Sequence, residues 1–472
     1  MLNIHFRHGE QLLLLCWMLC LGIITLFAQP SAGAASQDIV LGKVRVQLLS
    51  PTLVRVEQAG ALGFEDRDTF LVVQRDWPRV ASTQRKETGG TRITTNWYTV
   101  WVPEPCNTLA GIEIRKTDGT LLYKIGDVLP PARPHFPAPG MVGTAFALTD
   151  APRIVPPAWG ATPPPTSMLD KLGALAATGG WDLRNNAPDV YVLLPTNGYA
   201  ALRKEYLRLT GPIPLPPQYI LGFWHSRWHP YSDKEALADI AHYRNDDFPL
   251  DVFVVDTDWR VGGSGGYDVN TTLFPDMAKF ITDAHQQHVK VMFNDHPQPN
   301  GMAPLATSHF QYRWMGLTSQ LHNGLDIWWF DRNWPSIIPG PVDGIATEEW
   351  GQRIYTDTAA KYRPHEHPVI MSMPSSHPAS HRFPIWWTGD IQSSWLTLRN
   401  GVQDSVNGGV EFTPWVGQDL GGFLGRPSDE LYIRFLEWGC LSPVTRLHCS
   451  YDQVRYPWAY GHNAEAIVRD YV

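Results

Sequence analysis

The stretch SDKEALADIAHYRNDDFPLDVFVVD (232–256) joins two patterns that together indicate the fold. Its first half starts at Ser232 and carries Glu235 three residues later, which is the capping box that opens a helix. Its second half contains the apolar run LDVFVVD (250–256), which is typical of a buried strand and ends on a carboxylate. A helix followed by such a strand predicts parallel strands with helices outside them.

The same alternation continues through the second half of the chain. Seven further apolar runs are strand candidates: YILGFW (219–224), VKVMFND (289–295), LDIWWFD (325–331), PVIMSM (368–373), FPIWWTGD (383–390), GVEFTPWVGQD (409–419) and LSPVTRLH (441–448). Eight parallel strands with intervening helices predict an α/β fold of the (β/α)8 TIM-barrel type. In such barrels the active site lies at the C-terminal ends of the strands.

The first half of the chain follows a different pattern. Runs such as KVRVQLLSPTLVRVEQ (43–58) and TRITTNWYTVWV (91–102) are alternating or β-branched, and Gly, Asn and Pro separate them. They predict an N-terminal antiparallel β-sandwich domain over residues 36–215, followed by the barrel over residues 216–472. The Pro-rich interval from Pro130 to Pro165 predicts an irregular loop.

Residues 1–35 have the pattern of a signal peptide. The uncharged run QLLLLCWMLCLGIITLFA (11–28) follows Arg7 and precedes small residues spaced for cleavage near Ala35. This predicts a secreted or periplasmic protein. An uncleaved anchor is the alternative, because the run approaches the ~18 residues at which a membrane span becomes feasible. No later run in the sequence is long and apolar enough to span a membrane.

Composition narrows the classes of partner. A net charge of −8 supplies no basic face for phosphates and argues against a nucleic-acid partner. Cys106, Cys440 and Cys449 are the cysteines left after the signal segment, and an odd number is no disulfide framework. The sequence predicts no cofactor and does not indicate an oligomeric state.

Acidic residues follow five of the eight candidate strands. They are Asp256 and Asp258 after the second strand, Asp295 after the third, Asp331 after the fourth, Asp390 after the sixth and Asp419 after the seventh. The eighth strand ends at Arg446 and His448. Like charges brought to one rim are costly, so we expect the cluster to be functional.

Paired carboxylates suit the cleavage of a glycosidic bond, in which one attacks the anomeric carbon and another protonates the leaving oxygen. Trp329 and Trp387 stand beside two of these acids, and indoles offer flat faces to sugars. Metal-dependent hydrolysis is the competing chemistry, with histidines available in NDHP (294–297) and RLHC (446–449). The sequence lacks both an HxH pair after the first strand and an HExxH motif, so no metal site is predicted.

The ordered set LTGPIPLPPQYILGFWHSRW, PLDVFVVDTDW, WWFDRNW, WWTGDIQSSW, GQDLGGF and PVTRLH resembles glycoside hydrolase family 31. Members of this family are retaining enzymes that cleave terminal α-linked sugars. The resemblance implies that Asp331 is the nucleophile and Asp390 the general acid/base. It also implies that Asp256, with Asp258 beside it, and His448 hold hydroxyls of the sugar. The predicted substrate-binding set is completed by Asp295, Trp329, Met373 and Trp387.

The sequence departs from the family pattern at three positions. Trp334 stands where the nucleophile segment usually has Glu, and Ile391 stands where Asn usually follows the acid/base. Met373 stands where the fifth strand usually ends in an arginine that contacts the sugar. Losing that cation removes charge-assisted hydrogen bonds and frees space. The family resemblance makes an α-glucosidase-like activity the first expectation, and the departure at Met373 makes α-galactosidase or α-N-acetylgalactosaminidase specificity the alternative.

The end of the sequence raises a further alternative. The segment RYPWAYGHNAEAIVRDYV (455–472) reads as the start of the final barrel helix, so the barrel is expected to be truncated there. The C-terminal β domains that usually follow in the family are expected to be missing. A truncated, catalytically silent carbohydrate-binding relative is the corresponding alternative to an enzyme. In either case the expected partner is an oligosaccharide or glycoconjugate.

Overall fold

The structure is a computed structural model that describes residues 38–130, 145–151, 153, 184–194, 198–262, 266–296, 315–331, 347–373, 379–383 and 385–472. The predicted signal peptide, most of the Pro-rich interval and Trp334 lie outside these residues. None of the helices in the described ranges combines the length and apolar character that a membrane crossing requires.

The N-terminal part contains two antiparallel sheets of five strands each. In chain order the strands are β1 (Ile39–Leu41), β2 (Val44–Ser50), β3 (Leu53–Gln58), β4 (Thr83–Glu87), β5 (Gly90–Thr94), β6 (Tyr98–Pro103), β7 (Glu113–Lys116), β8 (Leu121–Lys124), β9 (Phe146–Thr149) and β10 (Asp189–Leu193). One sheet has the order β1-β2-β3-β10-β9 and the other runs from β4 to β8.

These two sheets share one core. Val46 and Val56 of the first sheet and Ile93 and Val100 of the second belong to the same buried apolar cluster. Alternate residues of β2 and of β6 point into this cluster, because successive side chains of a strand face opposite sides. The predicted N-terminal β-sandwich is therefore confirmed.

A second sheet system of eight parallel strands follows. Its strands are β11 (Phe223–Arg227), β12 (Val252–Val255), β13 (Lys290–Asp295), β14 (Ile327–Phe330), β15 (Ile370–Ser372), β16 (Ile385–Trp387), β17 (Val416–Gly417) and β18 (Thr445–Leu447). Sequential strands are neighbours from β11 to β17, and β18 pairs with β11. Parallel bridges from Gly417 to Val444 and from Leu420 to Leu447 bring the two ends together. The predicted TIM barrel is confirmed.

Helices alternate with the barrel strands. The described helices are α1 (Gly198–Thr210), α2 (Asp233–Asn245), α3 (Met277–Gln286), α4 (Thr347–Tyr362), α5 (Trp395–Val410), α6 (Asp429–Gly439) and α7 (Gly461–Tyr471), and residues 315–322 are also helical. The capping box at the start of α2 is present, because the Ser232 side chain accepts from the backbone N–H of Glu235 and the Glu235 side chain returns the bond.

In two of the predicted strands, the first residues are helical in the structure. Residues Gln218–Leu221 form a 3₁₀ turn, and strand β11 begins only at Phe223. In the predicted run 409–419, α5 extends to Val410 and the strand is limited to Val416–Gly417. Pro414 has no N–H to donate to a ladder, which accounts for the late start of this strand.

The barrel strands sort their side chains between two cores. The interior core contains Trp224, Val252, Val254, Met292, Ile327, Trp329, Met371, Ile385, Trp387 and Val444. The core between barrel and helices contains the intervening residues, such as Phe253, Phe293 and Phe330. The two-residue period therefore carries positions 256, 294, 296, 331, 373, 446 and 448 onto the interior side at the C-terminal rim.

Candidate active site

Asp331 follows β14 on the interior side of the barrel and is 7% exposed. Its backbone N–H donates to the carbonyl of Asp295, which extends the pairing of β13 and β14 by one residue. The Nδ2 of Asn294 donates to Oδ2 of Asp331 at 2.9 Å. The Nε2 of His296 lies 2.8 Å from the same oxygen. The carboxylate is thus fixed by two donors from β13 and the residue after it.

Asp256 follows β12 and is 4% exposed. It caps a short 3₁₀ turn by accepting the backbone N–H of Thr257 at 2.8 Å. Burial, and then the negative charge of Asp331, raise the pKa of Asp256 to about 7. Asp256 is therefore partly protonated near neutral pH and is able both to donate and to accept hydrogen bonds.

His448 faces Asp256 from the end of β18. Its Nε2 lies 3.8 Å from Oδ2 of Asp256, and its Nδ1 lies 2.7 Å from the hydroxyl of Ser226 on β11. Burial, and then the charge of Arg446, hold the pKa of His448 well below its ordinary value. The imidazole is therefore neutral, which suits hydrogen bonding to uncharged hydroxyl groups.

Asp390 lies beyond β16 at the exposed rim of the barrel. Partial burial of its carboxyl group, and then the negative charge of Asp331, raise its pKa to about 6. The preceding Gly389 has φ of 87°, a left-handed conformation that turns the chain sharply at this point. Asp390 and Asp331 are thus electrostatically linked, and the structure gives them different environments.

The interior beneath these acids is aromatic. The rings of Trp329 and Trp387 meet edge to face with centroids 4.7 Å apart, and the ring of His448 lies 5.2 Å from Trp329. The guanidinium of Arg446 lies 4.5 Å from the Trp329 ring centroid. Both indoles are almost completely buried, so they form the floor of the site.

Asp419, which follows β17, binds residues of this aromatic floor. Its Oδ1 accepts from Nε1 of Trp387 at 2.7 Å and from the guanidinium of Arg446 at 2.6 Å. Burial raises the pKa of Asp419 to about 7, although the charge of Arg446 opposes this. Asp419 therefore positions Trp387 and Arg446 and does not reach the rim.

Met373 follows β15 on the interior side and packs against the core that contains Trp329 and Trp387. A Cβ built at Gly389 would lie 3.4 Å from the Cε of Met373, so the methionine tip approaches the residue next to Asp390. The Met373 side chain therefore lies beside Gly389, the residue that precedes the candidate acid/base.

Asp295 is placed elsewhere, contrary to the expectation that it contacts the substrate. Its carboxylate is fully buried on the outer side of the barrel wall, where Arg260, Tyr267 and Tyr355 all bind it. The distance from the Tyr267 hydroxyl to Oδ2 is 2.6 Å. The physical reason is the strand alternation, which turns Asp295 away from the interior that Asn294 faces.

Asp258 interacts with residues that follow β11. It belongs to the 3₁₀ turn after β12 and forms a hydrogen bond with the Trp228 side chain. Burial raises its pKa, and the charge of His229 and this hydrogen bond oppose the rise. Its neighbours place it near the loop that follows β11.

The sequence did not identify three residues as partners in the site. They are Asn294, His296 and Ser226. The signal that identifies the first two is the two-residue period of β13, in which Met292, Asn294 and His296 share the interior side. Within the described ranges, no group of three His, Cys, Asp or Glu side chains is arranged to hold a metal ion. The arrangement instead offers one carboxylate held by donors, a second with a raised pKa, and polar groups for hydroxyls.

The model of the glycosyl hydrolases family 31 TIM-barrel domain matches residues 213–312 and 300–472. These matches cover more than half of the chain, which therefore belongs to glycosyl hydrolase family 31. The family resemblance of the motifs is confirmed.

Relatives with known names are distant in sequence. The α-xylosidase of Saccharolobus solfataricus is 23% identical over 313 residues, which cover 57% of this chain and 42% of that protein. The α-glucosidase 2 of Bacillus thermoamyloliquefaciens is 24% identical over 334 residues, covering 57% of this chain and 41% of that protein. The matches thus span less than half the length of these relatives.

A solved structure is similar over most of the chain. The family 31 dextranase of Flavobacterium johnsoniae, complexed with isomaltotriose, matches with a TM-score of 0.64 at 16% identity. The match covers 93% of this chain and 67% of the dextranase. At this identity the likeness shows the fold: a parallel barrel preceded by antiparallel sheets.

Proposed function

We propose that the protein is a retaining α-glycoside hydrolase that removes terminal α-linked sugars from an oligosaccharide or glycoconjugate. Asp331 is the nucleophile and Asp390 the general acid/base. The observation that carries the proposal is the difference between the two acids. Asp331 is held by two hydrogen-bond donors, whereas Asp390 stands at the rim with its pKa raised to about 6.

In the first step an oxygen of ionised Asp331 forms a bond to the anomeric carbon while the bond to the leaving oxygen breaks. Protonated Asp390 transfers its proton to that leaving oxygen. In the second step Asp390 takes a proton from water, the water oxygen bonds to the anomeric carbon, and Asp331 is released as a carboxylate. Two displacements return the sugar with its original configuration.

The electrostatic link between the two acids suits both steps. The negative charge of Asp331 is one of the causes that raise the pKa of Asp390. When Asp331 becomes an ester in the intermediate, that charge is gone and the pKa of Asp390 falls. Asp390 is therefore an acid before the intermediate forms and a base afterwards.

The groups proposed to hold the sugar are Asp256, His448 and the floor formed by Trp329 and Trp387. Asp256 and neutral His448 lie 3.8 Å apart, which leaves both able to bind neighbouring hydroxyls. Asp258, farther out beside Trp228, is proposed to contact the substrate only towards the mouth of the site.

The identity of the preferred sugar is proposed to depend on Met373. The two named relatives are an α-xylosidase and an α-glucosidase, and an α-glucosidase-like activity on hexoses is the first proposal. The apolar tip of Met373 beside Gly389 favours the alternative of α-galactosidase or α-N-acetylgalactosaminidase specificity, because it offers space and no charge to the sugar.

Purified protein should be tested against aryl α-glycosides of glucose, galactose, xylose and N-acetylgalactosamine. We expect one of these to be hydrolysed at least tenfold faster than the others, measured as kcat/KM. If a folded sample hydrolyses none, yet binds oligosaccharides in calorimetry, the alternative of a catalytically silent carbohydrate-binding protein is the correct one.

We also propose that residues 1–35 direct export of the chain. The support is the apolar run 11–28 followed by small residues. Expression of the full chain, followed by cell fractionation and N-terminal sequencing, tests this. A mature N-terminus near residue 36 outside the cytoplasm is expected, whereas an intact N-terminus in the membrane fraction indicates an anchor.

A further inference from the structure

Two donors bind a single oxygen of Asp331. The amide Nδ2 of Asn294 and the imidazole Nε2 of His296 both reach Oδ2, at 2.9 Å and 2.8 Å. Asn294 is 1% exposed, and the side chain of His296 is 19% exposed, so solvent competes weakly for these contacts. Both donors thus fix Oδ2, and neither of them occupies Oδ1.

The charges around His296 favour its protonated form. Burial lowers the pKa of His296, but the hydrogen bond and charge of Asp331, followed by the charge of Asp256, outweigh burial and raise it. The charge of Arg260 opposes this rise. The charge of His296 in turn lowers the pKa of Asp390. Three carboxylates and one guanidinium therefore surround the imidazole.

We propose that His296 is a positioning residue for Asp331, whose imidazolium binds Oδ2 and turns Oδ1 towards the anomeric carbon. The proposal rests on the proposed function, because it takes Asp331 as the nucleophile. Asn294 is neutral and shares the same oxygen. His296 therefore supplies the charge of the interaction, and Asn294 adds to its geometry.

The consequences differ between the two chemical steps. When Oδ1 bonds to the anomeric carbon, Asp331 becomes a neutral ester and His296 loses its counter-charge. When the ester is hydrolysed, the negative charge returns to Asp331, and the imidazolium stabilises the departing carboxylate. The residue acts through Asp331 and does not need to touch the sugar.

The first test does not depend on catalysis. Histidine side-chain NMR should follow the titration of His296 in the wild-type protein and in the Asp331→Asn variant. The pKa of His296 is expected to lie above that of a free histidine in the wild type and to be lower in the variant, because the hydrogen bond and charge of Asp331 are lost while burial remains. An unchanged pKa overturns the proposal.

The second test is kinetic. His296→Gln keeps a donor near Oδ2 without the charge, and His296→Leu keeps neither. We expect kcat to fall by about 100-fold in the leucine variant and by less in the glutamine variant, with little change in KM. The loss should be uniform across aryl leaving groups, because His296 does not protonate the leaving oxygen. A loss confined to poor leaving groups contradicts the positioning role.

A matched control exists at the opposite end of strand β14. His285 on α3 also contacts a carboxylate, with its Nε2 2.6 Å from Oδ2 of Asp326, the residue before β14. His285→Gln is expected to leave kcat and KM unchanged. If the wild type hydrolyses no glycoside, the proposed function fails, while the NMR titration still decides whether His296 and Asp331 are coupled.

Discussion

The guanidinium of Arg446 donates to Oδ1 of Asp419 at 2.6 Å, and neither side chain is exposed to solvent. The pair lies directly behind Trp329 and Trp387, to which the same two residues bind. A buried ion pair is costly to desolvate, so it is weak evidence for stability by itself. Here it holds the aromatic floor of the site in place.

Asp419→Ala leaves the cation of Arg446 buried without its partner. We expect the free energy of unfolding to fall by about 3–5 kcal/mol, measured by denaturant titration. Replacing both residues, as Asp419→Leu with Arg446→Met, should cost less than Asp419→Ala alone. The exposed pair of Arg434 and Glu437 is the control, and Glu437→Ala should change stability by no more than about 0.5 kcal/mol. Equal losses in the two pairs would contradict this account.

Asp256 is expected to destabilise the folded state at neutral pH. Its pKa is about 7 in the folded protein and about 3.9 in an unfolded chain. Between these values the folded state keeps a proton that the unfolded state has released, so stability falls as pH rises through this window. Asp256→Asn should therefore be more stable than the wild type by about 4 kcal/mol at pH 7.5 and by no more than about 0.5 kcal/mol at pH 4.

Chemical denaturation at both pH values measures this difference. Asp470→Asn, on an exposed position of α7, is the control for the loss of one carboxylate at the surface. If Asp256→Asn raised the free energy of unfolding by the same amount at both pH values, the raised pKa of Asp256 would not be the cause.

The loss of kcat/KM in Asp390→Ala should depend on the leaving group of the substrate. Aryl glycosides with acidic phenols need little protonation, so their kcat/KM should fall by less than about tenfold, whereas alkyl glycosides should lose 10²–10⁴-fold. In the wild type, kcat/KM should decline as pH rises through about 6, because Asp390 loses its proton there. The variant should lack this decline. A uniform loss across the leaving groups would assign the proton transfer to another residue.

Met373→Arg restores the residue that is usual at this position in the family. If Met373 faces the sugar, the new cation should shift the ratio of kcat/KM towards aryl α-glucosides by about tenfold or more, since a charge-assisted hydrogen bond contributes roughly 1.5–3 kcal/mol. Met373→Leu keeps the side chain apolar and should leave the ratio unchanged. An unchanged ratio in both variants would remove Met373 from the sugar site.

The fold was predictable from sequence because its signals are local. The apolar runs and the capping box at Ser232 identify strands and helices without knowledge of distant contacts. The predicted strand bounds were wrong where the chain forms a turn at the start of a predicted strand. The run YILGFW begins with a 3₁₀ turn, and its Trp224 indole bonds back to the carbonyl of Ile220, a contact that no periodicity reveals.

The candidate site was predictable only in part. Listing the acids at the strand ends selected Asp256, Asp331 and Asp390, but it also selected Asp295, which faces Arg260 on the outer side. Applying the two-residue period would have replaced Asp295 by Asn294 and His296. The raised pKa values, in contrast, depend on burial and on charges from other strands, which the sequence does not give.

The most direct test of the central claim is covalent trapping of Asp331. The enzyme should be incubated with a slowly turning over fluorinated glycosyl fluoride of the preferred sugar, digested, and mapped by mass spectrometry. One sugar per chain is expected on the peptide that contains Asp331, and no label is expected in the Asp331→Asn variant. Label on Asp390, or hydrolysis with inverted configuration and no covalent adduct, would contradict it.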